Sequence, residues 1–123
     1  MKTILILILA ACTASAQITE PQAVRAILGE SLGQPFRAQV LIGAVLRARG
    51  SLDGVYGVSN PIISTADKRA KETARRAWRA SVGLRTKARY FGCQKDEAYF
   101  ERCGFRRVNR IGSIVFYIDP KNK

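Results

Sequence analysis

The stretch Gly29-Glu-Ser-Leu-Gly-Gln-Pro-Phe-Arg-Ala-Gln-Val-Leu-Ile-Gly-Ala-Val-Leu-Arg-Ala-Arg49 decides how this chain folds. Gly33 and Pro35 make a corner between two helical patterns, since proline suits a first helical turn and cannot continue a preceding one. Glu30 therefore sits at a helix junction, where packed walls exclude water and raise a carboxyl pKa. An acid kept protonated near neutral pH is what general-acid catalysis needs, and Glu30 is the candidate catalytic acid.

On the N-terminal side of the corner, Thr19 and Gln22 make a capping-box pattern and Pro21 fits the first turn. Val24, Ile27 and Leu28 recur at helical spacing, so a helix is expected over 20–30 with Glu30 beside its apolar stripe. On the other side, a core helix is expected over 35–49, stopped by Gly50. Phe36, Val40, Leu41, Ala44, Val45 and Ala48 form its main face, and Ile42, Gly43 and Leu46 broaden the apolar surface.

Residues 50–64, rich in glycine with Asn60 and Pro61, read as a connection with at most a short extended piece around Val55 and Tyr56. Thr65 or Asp67 then caps a third helix. Its buried stripe is Ala70, Ala74, Ala77, Trp78 and Ser81, its opposite face is Lys68, Arg69, Lys71, Arg75, Arg76 and Arg79, and Gly83 ends it. Aromatic and branched residues at 87–91, 105–109 and 113–118 predict a small antiparallel sheet, with Ile111-Gly112 turning between the last two. The expected fold is α+β, three helices packed with that sheet.

The chain has 123 residues and a formal charge of +12. Its first 16 residues read as an export signal: Lys2, a short apolar run and Ala14-Ser-Ala16 as the cleavage pattern, leaving a single domain over 17–123. Leu9-Ala-Ala-Cys12 also has the form of a lipobox, so the competing expectation is a lipoprotein signal over 1–11 with an acylated Cys12 anchoring the chain to a membrane. Either route leads out of the cytoplasm, to the periplasm, cell envelope or extracellular space. Cys93 and Cys103 are then an even pair in an oxidising compartment, and a disulfide between them is expected.

A charge of this size selects polyanions. For an exported protein those are the anionic polymers of the envelope, whereas nucleic acid is the polyanion of the wrong compartment. No histidine occurs in the chain, which removes Ser-His-Asp and Cys-His catalysis and leaves no histidine ligand for a catalytic zinc. No metal and no cofactor is expected.

The opening stretch resembles that of the spore cortex-lytic and cell-wall hydrolase family (SleB-type), whose members begin Gly-Glu-Ala-x-Gly-Glu-Pro followed by a Gln-containing apolar helix closing on Asn-Arg. Gly29, Glu30, Gly33, Pro35, Gln39, Val40, Gly43, Val45 and Arg49 match, while Gln34, Ala38 and Ala48 stand where Glu, Gly and Asn are usual. Ala88-Arg-Tyr-Phe91 is similar to the family's Ala-Leu-Tyr-(Phe/Tyr) strand, and 105–117 to its closing Ile-Gly-(Asn)-His-Val-Phe-Tyr segment. The resemblance spans most of 24–117 and is shorter at 50–66 than in many members.

The resemblance implies a lysozyme- or transglycosylase-like domain that cuts peptidoglycan glycan strands between N-acetylmuramic acid and N-acetylglucosamine, with Glu30 as catalytic acid. The candidate substrate contacts are Gln39, beside Glu30, Tyr56, in the glycine-rich loop, and Tyr90 and Tyr117, which lie within the matching blocks. Asp53, Asp67 and Asp96 are placed by no motif, and a lytic transglycosylase needs only one acid, because the sugar's own 6-hydroxyl attacks the anomeric carbon. A monomer is expected. The alternative is a non-catalytic basic protein that binds the cell wall or envelope and retains the fold.

Overall fold

The computed structural model describes residues 17–120, so the expected export signal and Cys12 lie outside the described residues. Helix α1 runs Glu20–Ser31 and opens as its sequence predicts: the Thr19 hydroxyl accepts from the Gln22 amide, and the Gln22 side chain accepts in return from the Thr19 amide. Helix α2 runs Phe36–Arg49 with Pro35 as N-cap and Gly50 as C-cap. Helix α3 runs Lys68–Ala80, and of the two candidate caps it is Asp67 that accepts from the Ala70 amide.

These helices bury one core: Ala23, Ala26, Ile27 and Leu28 of α1, Ala38, Ile42, Val45 and Leu46 of α2, Ala74 and Trp78 of α3. The core face of α2 is thus rotated from the expected one. Phe36 is 39% exposed, and Ala48 is also exposed. A helix apolar nearly all round does not announce which stripe its neighbours will cover. Glu20, at the start of α1, receives both Arg75 and Arg79 of α3 at 3.4 and 2.9 Å at the exposed edge of their packed interface.

Strands β1 (Tyr90–Cys93), β2 (Arg106–Ile111) and β3 (Ile114–Ile118) form an antiparallel sheet in the order β1-β3-β2, with Tyr90 opposite Tyr117 and Arg107 opposite Tyr117 on either side. The central strand alternates between two buried faces, so both sets of its side chains are apolar. Ile114 and Phe116 join the helical core, while Tyr117 faces an aromatic layer on the other side.

That second layer depends on an element absent from the expected three-helix plan. A fourth helix, α4 (Glu97–Arg102), follows the short 3-10 turn Gln94–Asp96 and lays Phe100 on the sheet, its ring stacked on Tyr117 at 4.2 Å between centroids. A side chain at Gly92 would meet the Phe100 ring at 2.7 Å, so glycine there is what lets α4 sit down. Residues 50–64 also differ from expectation: in place of an extended piece they form two 3-10 segments, Tyr56–Ser59 and Pro61–Thr65. The fold class is α+β as expected, with four α-helices among the described residues.

Candidate active site

Glu30 occupies the penultimate position of α1, half-buried, on the wall of a cleft of about 430 Å³. One side of the cleft is the loop carrying Gly54, Val55 and Tyr56; the far side is edge strand β1 with Asp96, Tyr99 and Phe100 beyond it. Burial holds the Glu30 carboxyl above its ordinary value of 4.5, and the hydrogen bond it accepts from the Gly57 amide, 2.9 Å long, offsets only part of that. The result is a carboxylic acid that keeps its proton to higher pH than a free one, facing a solvent-accessible hollow.

Three hydrogen bonds lash the loop to α1 around this residue. Arg25 donates to the Val58 carbonyl at 2.7 Å, the Gly57 amide to Glu30, and the Asn60 amide group to the Gly29 carbonyl at 2.9 Å. The seating needs two glycines. A Cβ on Gly57 would lie 2.5 Å from Cγ of Glu30, so any larger residue displaces the carboxylate it now binds.

Tyr56 lines the cleft and is 84% exposed, an aromatic face open to a ligand. Tyr90 lines it too, braced edge-on by Phe105 at 4.9 Å, with its hydroxyl 3.3 Å from Asp119 and the Arg49 guanidinium 5.3 Å above its ring. The other two candidates are elsewhere. Tyr117 is fully buried between β3 and α4 and belongs to the core. Gln39 is 4% exposed and donates to the Ser31 carbonyl at 3.3 Å, tying α2 to the end of α1 and contributing nothing to the cleft lining.

Two residues that sequence reasoning passed over line the cleft: Arg49, the last residue of α2, and Asp96, an exposed carboxylate across from the loop. Arg49 stood in the quoted motif, so its signal was present. Asp96 is brought in only by the 3-10 turn that leads into α4.

The departures at Gln34 and Ala48 fall outside the cleft. Gln34 accepts at 3.0 Å from the Ser113 amide, pinning the β2–β3 hairpin to the α1–α2 corner. Ala48 lies on the opposite side of α2. The expected Cys93–Cys103 disulfide is not seen: Cys93, at the end of β1, and Cys103, after α4, are both free thiols in this structure. Among the described residues no group of three or more His, Cys, Asp or Glu is placed to hold a metal ion, and no helix is long and apolar enough to cross a membrane.

No protein-family model matches the chain, and no curated protein matches it either. Two solved structures do: the catalytic domain of the Bacillus cereus SleB protein and the catalytic domain of the germination-specific lytic transglycosylase SleB from Bacillus anthracis. Each is 24% identical and covers 80% of this chain, with TM-scores of 0.56 and 0.55 over 88% and 92% of the respective domains. The cleft around Glu30 is thus built on the fold of the SleB catalytic domain.

Proposed function

We propose that this protein cleaves peptidoglycan glycan strands between N-acetylmuramic acid and N-acetylglucosamine, as a lytic transglycosylase, with Glu30 as its acid. The observation that carries this is the half-buried carboxyl of Glu30, held above its ordinary pKa on the wall of an open cleft. Its support is the fold shared with a domain described as a lytic transglycosylase.

In the reaction, Glu30 donates its proton to the glycosidic oxygen as the bond to the anomeric carbon breaks. The resulting carboxylate then accepts the proton of the sugar's own 6-hydroxyl as that oxygen closes on the anomeric carbon, giving an anhydro-muramic end and restoring the acid. One carboxyl performs both transfers, so no second one is required. Burial favours the protonated ground state, and the Gly57 amide stabilises the carboxylate that forms midway. Tyr56 and Tyr90 offer ring faces to the sugars flanking the scissile bond.

The high positive charge suits an exported protein working on an anionic envelope. Mass spectrometry of purified sacculi after digestion tests the proposal. Anhydro-muramic ends support it, reducing ends point to hydrolysis at the same bond, and sacculi that are bound but unchanged would indicate the non-catalytic binder.

A further inference from the structure

On the side of α2 away from Glu30, a second hollow of about 410 Å³ opens between α2 and the chain that follows α3. Its charged lining consists of three arginines, Arg47, Arg85 and Arg89, with no carboxylate among them. Like charges converge at a concave surface only against their mutual repulsion. We propose that this hollow is a binding site for a phosphate group, separate from the cleft and independent of the chemistry at Glu30.

Two of the three guanidiniums are fixed by neutral partners. Arg47 donates to the Ser81 hydroxyl at 2.8 Å and the Trp78 carbonyl at 2.7 Å, and lies 3.6 Å over the Trp78 ring. Arg89 donates to the carbonyls of Thr86 and Ala88 at 2.7 and 2.9 Å. These bonds orient both groups while leaving their charge unneutralised and further N–H donors unused. The carboxylate whose charge reaches Arg47, Glu20, is already held by Arg75 and Arg79.

Arg85 is exposed and makes no hydrogen bond or ion pair among the described residues, so it is free to close over a ligand. Two preset forks and one mobile arm suit a tetrahedral oxyanion, whose oxygens can be approached from several directions. A planar carboxylate presents two oxygens in one plane and so meets fewer donors arriving from different directions. Phosphate reaches such a site as the free ion or as the phosphodiester of an envelope polymer.

The test is a titration of the isotope-labelled protein with sodium phosphate, with a glycerol-phosphate polymer and with polyglutamate, followed by backbone amide shifts. Both phosphate probes are expected to give saturable shifts clustered on Ser81, Leu84, Arg85, Thr86 and Arg89, and the tighter of the two names the natural source. Arg85→Gln should weaken phosphate binding roughly tenfold, while Arg69→Gln, an equal charge change on the exposed face of α3, should not. Arg89→Gln supplies a second variant should Arg85 prove too mobile to matter alone. Shifts spread evenly over the basic surface, equal losses from Arg69→Gln and from both site variants, or polyglutamate binding as tightly as the glycerol-phosphate polymer would overturn the proposal. Each readout is binding, so the result stands whether or not Glu30 turns over peptidoglycan.

Discussion

Gly29 and Gly57 face one another so closely that a Cβ built on Gly29 would fall 1.7 Å from the Gly57 carbonyl oxygen. This contact, between a helix residue and a loop residue, places the Gly57 amide on the Glu30 carboxylate. Gly57→Ala is expected to cost roughly 1–3 kcal/mol of stability through overpacking, and to depress activity more than that loss accounts for, because the new methyl pushes Glu30 aside. Thermal unfolding and sacculus clearing, measured on the same preparation, check both halves.

Glu30→Gln keeps the shape and can still accept from the Gly57 amide, but it has no proton to give. Clearing of sacculi should fall on the order of a hundredfold or more, with the fold intact by circular dichroism. A variant that clears as well as wild type removes Glu30 from the mechanism.

The raised pKa of Glu30 also sets a stability slope. The folded state holds this proton more tightly than the unfolded chain, so the stabilisation is full below the ordinary value of 4.5 and is lost as pH rises through the folded value. Glu30→Gln never ionises. Its unfolding midpoint should match wild type near about pH 4 and exceed it near about pH 7; a constant difference across that range would show that burial does not perturb the carboxyl.

Asp96→Asn should retain most of the clearing and still yield anhydro ends, since one carboxyl suffices for the proposed reaction. A loss as large as that of Glu30→Gln would make Asp96 a second catalytic group and shift the chemistry toward hydrolysis.

Tyr117→Phe and Tyr56→Ala should separate core from cleft. The Tyr117 hydroxyl is buried with no hydrogen-bond partner among the described residues, so its removal should leave activity unchanged and stabilise the fold by up to about 1 kcal/mol. Removing the exposed Tyr56 ring should leave the melting temperature unchanged and raise KM for soluble glycan fragments.

What could be read before the structure was whatever rests on local chemistry. The Thr19–Gln22 capping box, Asp67 at the start of α3, and the aromatic and branched run around Phe116 all carry their own signals. The place of Glu30 at a helix end beside a glycine-proline corner was legible, and the resemblance singled it out as the candidate acid. What failed needed tertiary information: helix α4 is six residues long, too short for a periodic signal, and exists because Phe100 stacks on Tyr117 over Gly92. The same stacking takes Tyr117 out of the cleft, and the 3-10 turn before α4 brings Asp96 into it. Gln39, a long amide in an apolar helix, proved to bind a backbone carbonyl.

The lashing of the 55–60 loop to α1 has a mechanical consequence. Arg25, Gly29 and Glu30 all bond to that loop, so the acid and the wall that shields it travel as one piece, while β1 and α4 form the opposing jaw. Both ends of the Gly57–Glu30 bond lie on the same wall, so a change in the width of the cleft would leave that bond in place. In the proposed reaction, the proton affinity of Glu30 would then be set by its own wall and not by how far the opposite wall stands from it.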